Sequence, residues 1–134
     1  MSPKQLAQKS FVRVLGLRGP EFFDDFYRDF LGRSPEIKSK FAGTDMERQR
    51  EVLRASFYHM FDYFETRRPN VRLEEMARRH ARNQLDIPPS MYDEWLNCLL
   101  GLLRQHDPGF DAAVEEAWKA VVMPVIEYMR GLYE

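Results

Sequence analysis

The segment Leu73–Tyr92, LEEMARRHARNQLDIPPSMY, decides how the chain is read, and His80 is its centre. On a helical wheel Leu73, Met76, Ala77, His80 and Gln84 share one face. Arg78, Arg79 and Arg82 fall on the opposite side, so the His80 face should point inward. An imidazole on an apolar stripe has two readings. It is either a core histidine with its nitrogens hydrogen-bonded, the commoner case for an isolated helix, or a metal or haem ligand, because neutral imidazole is a good iron donor. The rest of the chain has to choose.

Length sets the first bound. A chain of 134 residues suits one domain, expected to span 1–134, and a domain of this size buries about two-thirds of its unfolded surface. Hydrophobic residues at 44% and charged residues at 31% indicate a globular protein. Lys and Arg number 20 against 21 acidic residues, so no global field recruits nucleic acid or an anionic membrane. No apolar run approaches the ~20 residues that a membrane span requires. The first residues, MSPKQLAQKSF, lack the apolar core of a signal peptide, so a cytoplasmic location is expected. Cys98 is the single cysteine, which excludes an internal disulfide. Flanked by Leu96, Leu99 and Leu100, it reads as a buried small residue rather than a nucleophile.

Helical spacing dominates and alternating strand patterns are absent. Pro3–Leu17 reads as a first helix ended by Gly19–Pro20, with Pro20 opening a second that runs to Leu31 and repeats aromatics at Phe22, Phe23, Phe26, Tyr27 and Phe30. Ser34–Pro35–Glu36 begins a short helix to Phe41. Thr44 and Glu47 have the spacing of a capping box for a long helix, whose inward stripe is Gln49, Leu53, Ser56, Phe57, Met60 and Phe64. The His80 helix should end near Asn83, before the Ile87–Pro88–Pro89 turn. Two further helices follow, Met91–Arg104 and about Phe110–Leu132, separated by Asp107–Pro108–Gly109. Pro124 removes a backbone donor inside the last one and should bend it. The expectation is an all-α domain of six main helices plus a short one.

Several chemistries drop out. There is no glycine-rich phosphate loop and no nucleophile elbow, and His59, His80 and His106 are too scattered for a zinc motif. No catalytic residue is assigned.

The order of the segments carries a resemblance. FYRDFLGRSPEIKSKFAGTDMERQREVL, Phe26–Leu53, is similar to the distal half of bacterial globins, with a Phe-Tyr pair at Phe26–Tyr27, a Ser-Pro-Glu turn at Ser34–Glu36, then Phe41, then Gln49 and Leu53 four residues apart. The Tyr27-to-Phe41 interval resembles the globin domain of flavohaemoglobins. The shorter Phe41-to-Gln49 interval resembles truncated or sensor-type globins. Downstream, Leu-x-x-Met-Ala-x-x-His, the Ile-Pro turn, Tyr92 and Ala117–Trp118 follow in the same order. The similarity covers nearly the whole chain.

That resemblance implies a globin fold with a haem pocket between distal and proximal helices. It implies haem b (iron protoporphyrin IX) as cofactor and His80 as the proximal iron ligand, with its other ring nitrogen donating to the carbonyl of Met76. It places Tyr27, Gln49 and Leu53 across the iron. Phe41, Phe57, Met76 and Ile87 would be apolar walls, with Tyr92 on the proximal side. Arg50, Arg79 and Arg82 are candidate cations for the propionates. Glu127 is the nearest candidate for the acidic partner that flavohaemoglobins set beside the proximal histidine.

The implied function is reversible binding of dioxygen or another diatomic gas, nitric oxide or carbon monoxide, for sensing, storage or oxygen transport. The chain would work alone, as a homodimer, with a signalling partner, or as the sensor module of a longer protein. Two alternatives stand beside it. One is nitric oxide dioxygenase activity with a separate reductase, or a weak peroxidase activity. The other is a haem-free globin-like regulatory domain.

Overall fold

Apolar residues recurring every three or four positions fold the chain into helices. A computed structural model describes residues 1–133, apart from the side chains of Leu17 and Arg18; Glu134 lies outside the described residues. Among these residues there are six helices and no strand: α1 (Pro3–Leu31), α2 (Pro35–Lys40), α3 (Met46–Thr66), α4 (Val71–His80), α5 (Ser90–His106) and α6 (Ala112–Gly131). None of the helices is long and apolar enough to cross a membrane.

The boundaries differ from expectation in three places. The two helices expected on either side of Gly19–Pro20 are one, because α1 runs unbroken from Pro3 to Leu31 with Pro20 inside it. The proline deletes one backbone hydrogen bond, and that local cost is outweighed because the rod is packed on either side of it, Phe11 against Trp118 of α6 and Phe22 and Phe26 against His106 and Trp95 of α5. The N-cap of α3 is Asp45, not Thr44. Its carboxylate accepts from the backbone N–H groups of Glu47 and Arg48, and a negative group suits the positive end of a helix better than a hydroxyl. Finally, α4 stops at His80 rather than near Asn83, leaving Gln84 beyond the helix and exposed. Ala81 turns to an extended conformation, and Ile87 N–H returns to bond the His80 carbonyl at 3.0 Å. The helix α6 continues through Pro124 to Gly131.

The buried stripes match the spacing of the sequence. Leu53, Ser56, Phe57 and Met60 of α3 are buried, as are Val114, Trp118, Val121, Val125 and Met129 of α6. Trp118 lies at the centre, fully buried, with the rings of Phe11, Phe57 and Phe61 at 6.3, 5.8 and 5.9 Å. Burying such aromatics is the main driving force for closure, and their tilted, edge-on contacts add to it.

One charged group sits inside this shell. Asp107, 3% exposed, ends α5 and is claimed by α1. Ser10 Oγ donates to its Oδ2 at 2.6 Å, Arg13 makes a two-pronged contact at 2.6 and 2.9 Å, and Gly109 N–H donates at 2.9 Å. Burial alone would raise this carboxyl's pKa; Arg13, Ser10 and Gly109 overturn that and hold it below its ordinary value. A carboxyl depressed in the fold contributes stability above the pKa of the unfolded chain and loses it as pH falls through the lower folded value.

We therefore expect Asp107→Ala to lower stability by about 2–3 kcal/mol in urea unfolding at neutral pH. This is below the cost of breaking a fully buried pair, because Arg13 stays partly in water. The difference between variant and parent should shrink as the buffer is acidified below pH ~4, the ordinary carboxylate range.

Candidate functional site

The residues expected on the distal side gather along α1 where α2 and α3 approach it. Tyr27 is buried on α1, one position after Phe26 on the aromatic face, and its ring lies 5.8 Å from that of Phe41, the C-cap of α2. Gln49 sits in the first turns of α3, on the same stripe as buried Leu53. Its amide Nε2 donates to the Tyr27 hydroxyl at 3.1 Å. The phenol oxygen is thus occupied as an acceptor while its own proton remains free to be donated. Burial pushes the Tyr27 pKa up to about 12 against the opposing effects of Gln49 and Arg50, so the group is a neutral O–H donor throughout the physiological range.

The residues expected on the proximal side lie at the end of α4. Met76 and His80 are half-buried on the inward face beside fully buried Leu73 and Ala77, while Arg78, Arg79 and Arg82 are exposed, as the wheel predicts. The imidazole Nδ1 lies 2.7 Å from the carbonyl oxygen of Met76, one turn back. A carbonyl can only accept, so Nδ1 carries the proton and Nε2 keeps its lone pair. Burial lowers the imidazole pKa, the Met76 bond partly resists this, and the positive charge of Arg79 lowers it further. The ring is neutral, which is its metal-binding form.

Tyr92 and Ile87 complete this side. The ring of Tyr92, buried on α5, stacks near the imidazole at 6.5 Å and 26°. Burial drives its phenol up to about 12, with Arg130 opposing. Half-buried Ile87 follows His80 on the returning loop and packs on the core, as do half-buried Phe41 and Met76. Phe57 is placed deeper than the other wall residues. Its partners are Phe11, Trp118 and Trp95, the last stacked at 6.3 Å.

Two further residues lie beside these that the sequence analysis does not single out as site residues. Trp95 is half-buried between Phe57 and Phe26, and its place on the first inward turn of α5 was the available signal. Lys40 bonds the carbonyl of Leu85 at 3.2 Å, a contact across 45 positions that no local pattern announces. Glu127, the candidate proximal acid, is exposed on α6, and the nitrogen it would have engaged is taken by the Met76 carbonyl.

The model of the globin family matches residues 24–129, most of the chain. The chain belongs to the globin family. No curated protein matches this globin significantly. Among solved structures, it is similar to the crystal structure of protein PA3967 from Pseudomonas aeruginosa PAO1, which is called structurally highly homologous to a human hemoglobin. The TM-score is 0.91 at 36% identity, over 98% of each chain.

The thiol of this globin is not part of the chemistry. Cys98 is fully buried with Sγ directed at the carbonyl of Phe26, and burial and the nearby Asp29 raise its pKa well above the ordinary thiol range. Since the thiolate is the reactive form, native protein should leave a thiol-specific disulfide reagent unconsumed at pH 8, with one equivalent reacting only after unfolding. Rapid native reaction would show that this part of α5 opens.

Proposed function

We propose that this globin holds haem b through His80 Nε2 and binds dioxygen or a related diatomic gas reversibly. The observation that carries the proposal is the Nδ1 bond to the Met76 carbonyl, because it fixes the one tautomer whose outward nitrogen is a donor to iron. Further support comes from the chemistry of the walls. Phe41, Leu53, Met76 and Ile87 offer apolar surface suited to a porphyrin face, and the Tyr27–Gln49 pair is the polar group on the opposite side.

Haem held by His80 would supply the gas-binding centre, and a diatomic ligand there would meet its polar donor in Tyr27. In this reading the residues divide the work. Gln49 does not reach for the gas; it donates to Tyr27 and so aims the phenol proton away from itself. Tyr27 presents that proton as the polar donor. Its burial means that little water competes for it. His80 is held in register by α4 and by the Ile87 N–H on its own carbonyl.

The same proximal bond ranks reversible binding above peroxidase chemistry. A carboxylate on Nδ1 would make the imidazole a stronger electron donor; a neutral carbonyl does so far less. Nitric oxide dioxygenation with a separate reductase uses the same distal donor and is the second reading. The oxygen release rate separates the two, since reversible carriage needs release on the timescale of delivery, whereas dioxygenation needs oxygen retained until nitric oxide arrives.

Three outcomes test the proposal. The haem-loaded ferrous protein should change its Soret and visible bands when oxygen is admitted and recover them when it is removed. His80→Ala should abolish or scramble haem uptake; an unaltered Soret band in that variant refutes the ligand assignment. Tyr27→Phe should speed oxygen release at least about tenfold, the loss of one charge-assisted hydrogen bond worth about 1.5–3 kcal/mol, and should change carbon monoxide much less. Equal effects on both gases in stopped-flow measurements would remove Tyr27 from the donor role.

A further inference from the structure

We propose that Tyr58, Trp118 and Trp95 form an electron relay from the protein surface to the haem pocket, through which hydrogen peroxide arriving in the pocket is reduced. The inference rests on haem lying between Tyr27 and His80. Indoles and phenols are the aromatic side chains that give up an electron, whereas a phenylalanine ring can only bridge. Among the described residues these rings stand in an unbroken file. Trp95 stacks on Phe57 at 6.3 Å, Phe57 meets Trp118 at 5.8 Å, Trp118 meets Phe11 at 6.3 Å, and Phe11 meets Tyr58 at 5.7 Å. A single phenylalanine therefore separates each oxidisable ring from the next. At the inner end Phe26 joins Trp95 to Tyr27, at 6.1 and 5.2 Å. At the outer end Tyr58 is 54% exposed.

The protons distinguish the relay from its terminus. Trp118 is fully buried, and its indole N–H, which can only donate, has no hydrogen-bond partner among the described residues. An unpaired polar group in a native core calls for an explanation, and a redox role is one. An oxidised indole with no base to take its proton stays a cation, and a cation in an apolar core is costly. The electron vacancy is thus passed on rather than stored at Trp118. Tyr58 can shed its proton to water and hold the vacancy as a neutral phenoxyl. Tyr27 and Tyr92 stand nearer the pocket, but burial pushes each phenol up to about 12, so neither gives up its proton readily.

Hydrogen peroxide is a by-product wherever a ferrous centre meets dioxygen. Its reduction breaks the O–O bond and consumes two electrons and two protons, leaving two waters. Each electron passes from Tyr58 through Trp118 and Trp95 to the pocket, while the phenol proton leaves to solvent. A small reductant of the ascorbate class then returns one electron to the phenoxyl, which takes a proton back. Two such donors are oxidised for each peroxide, and Tyr58 is regenerated.

The test mixes ferric, haem-loaded protein with hydrogen peroxide and a nitroso spin trap, and locates the adduct by peptide mass spectrometry. In wild type the adduct should sit on Tyr58, in a yield independent of protein concentration, and apoprotein should give none. Trp118→Phe, its fold checked by melting temperature and Soret band, should lose most of that adduct. Since Trp118 is a core residue, a second variant at the exposed end keeps the test open. Tyr58→Phe should lengthen the life of the indole radical seen by electron paramagnetic resonance after rapid freezing, and Tyr58→Trp should shorten it again. Tyr63→Phe, whose ring lies off the file beside Tyr128, should match wild type. Ascorbate should erase the wild-type adduct.

No adduct on Tyr58 in wild type overturns the relay, as does an undiminished adduct in folded Trp118→Phe or an unchanged indole signal in Tyr58→Phe. A Tyr58 yield that rises with concentration also overturns it, since one molecule would then be oxidising another. If wild type takes up no haem and gives no Soret band, the haem reading has failed and the relay with it, a result visible before any peroxide is added.

Discussion

The site depends on one hydrogen bond inside one turn of helix. A histidine whose two nitrogens are both free can ligate through either or rotate away. Here the Met76 carbonyl claims Nδ1, and the imidazole is fixed in tautomer and direction by the same spacing that makes α4 a helix. Because α4 ends at His80, the carbonyl of His80 is itself available, and the Ile87 N–H takes it. Side chain and main chain of one residue are therefore restrained by the turns before and after it. Asp86, with φ of 53°, adopts the left-handed conformation that lets this loop close, an uncommon state for a residue other than glycine.

The opposite wall uses a different logic. Tyr27 and Gln49 are on separate helices, so their bond exists only if α1 and α3 cross at the correct place. That crossing is set by aromatic packing further along, where Phe11 meets Phe57 at 5.1 Å and both meet Trp118. Burial makes the phenol hard to ionise, and the amide saturates its oxygen. The result is a donor with one direction left to use, which suits a ligand that gains negative charge.

Much of this could be read before any coordinates. The helical class, the inward stripes of α3 and α6, the Met76–His80 relation and the nearness of Tyr27 to Gln49 follow from periodicity or from the order of globin-like segments. What could not be read has a common cause. Pro20 carries a local signal to stop, yet the packing of both halves of α1 overrides it. Thr44 and Asp45 are both good caps, and the carboxylate of Asp45, better suited to the positive helix end, takes the position. The Lys40–Leu85 contact and the Asp107 network join residues far apart in the chain, and no window of sequence contains both ends. Glu127, the nearest candidate in the sequence for a proximal acid, is exposed on α6, where one step along the helix turns a side chain by about 100°.

The continuity of α1 has a consequence for how this protein can vary. Ser10 and Arg13 at one end grip Asp107, and Tyr27 at the other end faces Gln49, with no loop between to absorb a mismatch. Exchange of one exposed residue for another along that rod leaves both ends in phase. Insertion or deletion of a single residue between Arg13 and Tyr27 would rotate one end against the other by about 100° and move it about 1.5 Å along the axis. This stretch should therefore tolerate exchange of its exposed residues but not a change of length, and the tyrosine holds its bearing on Gln49 from an anchor more than three turns away.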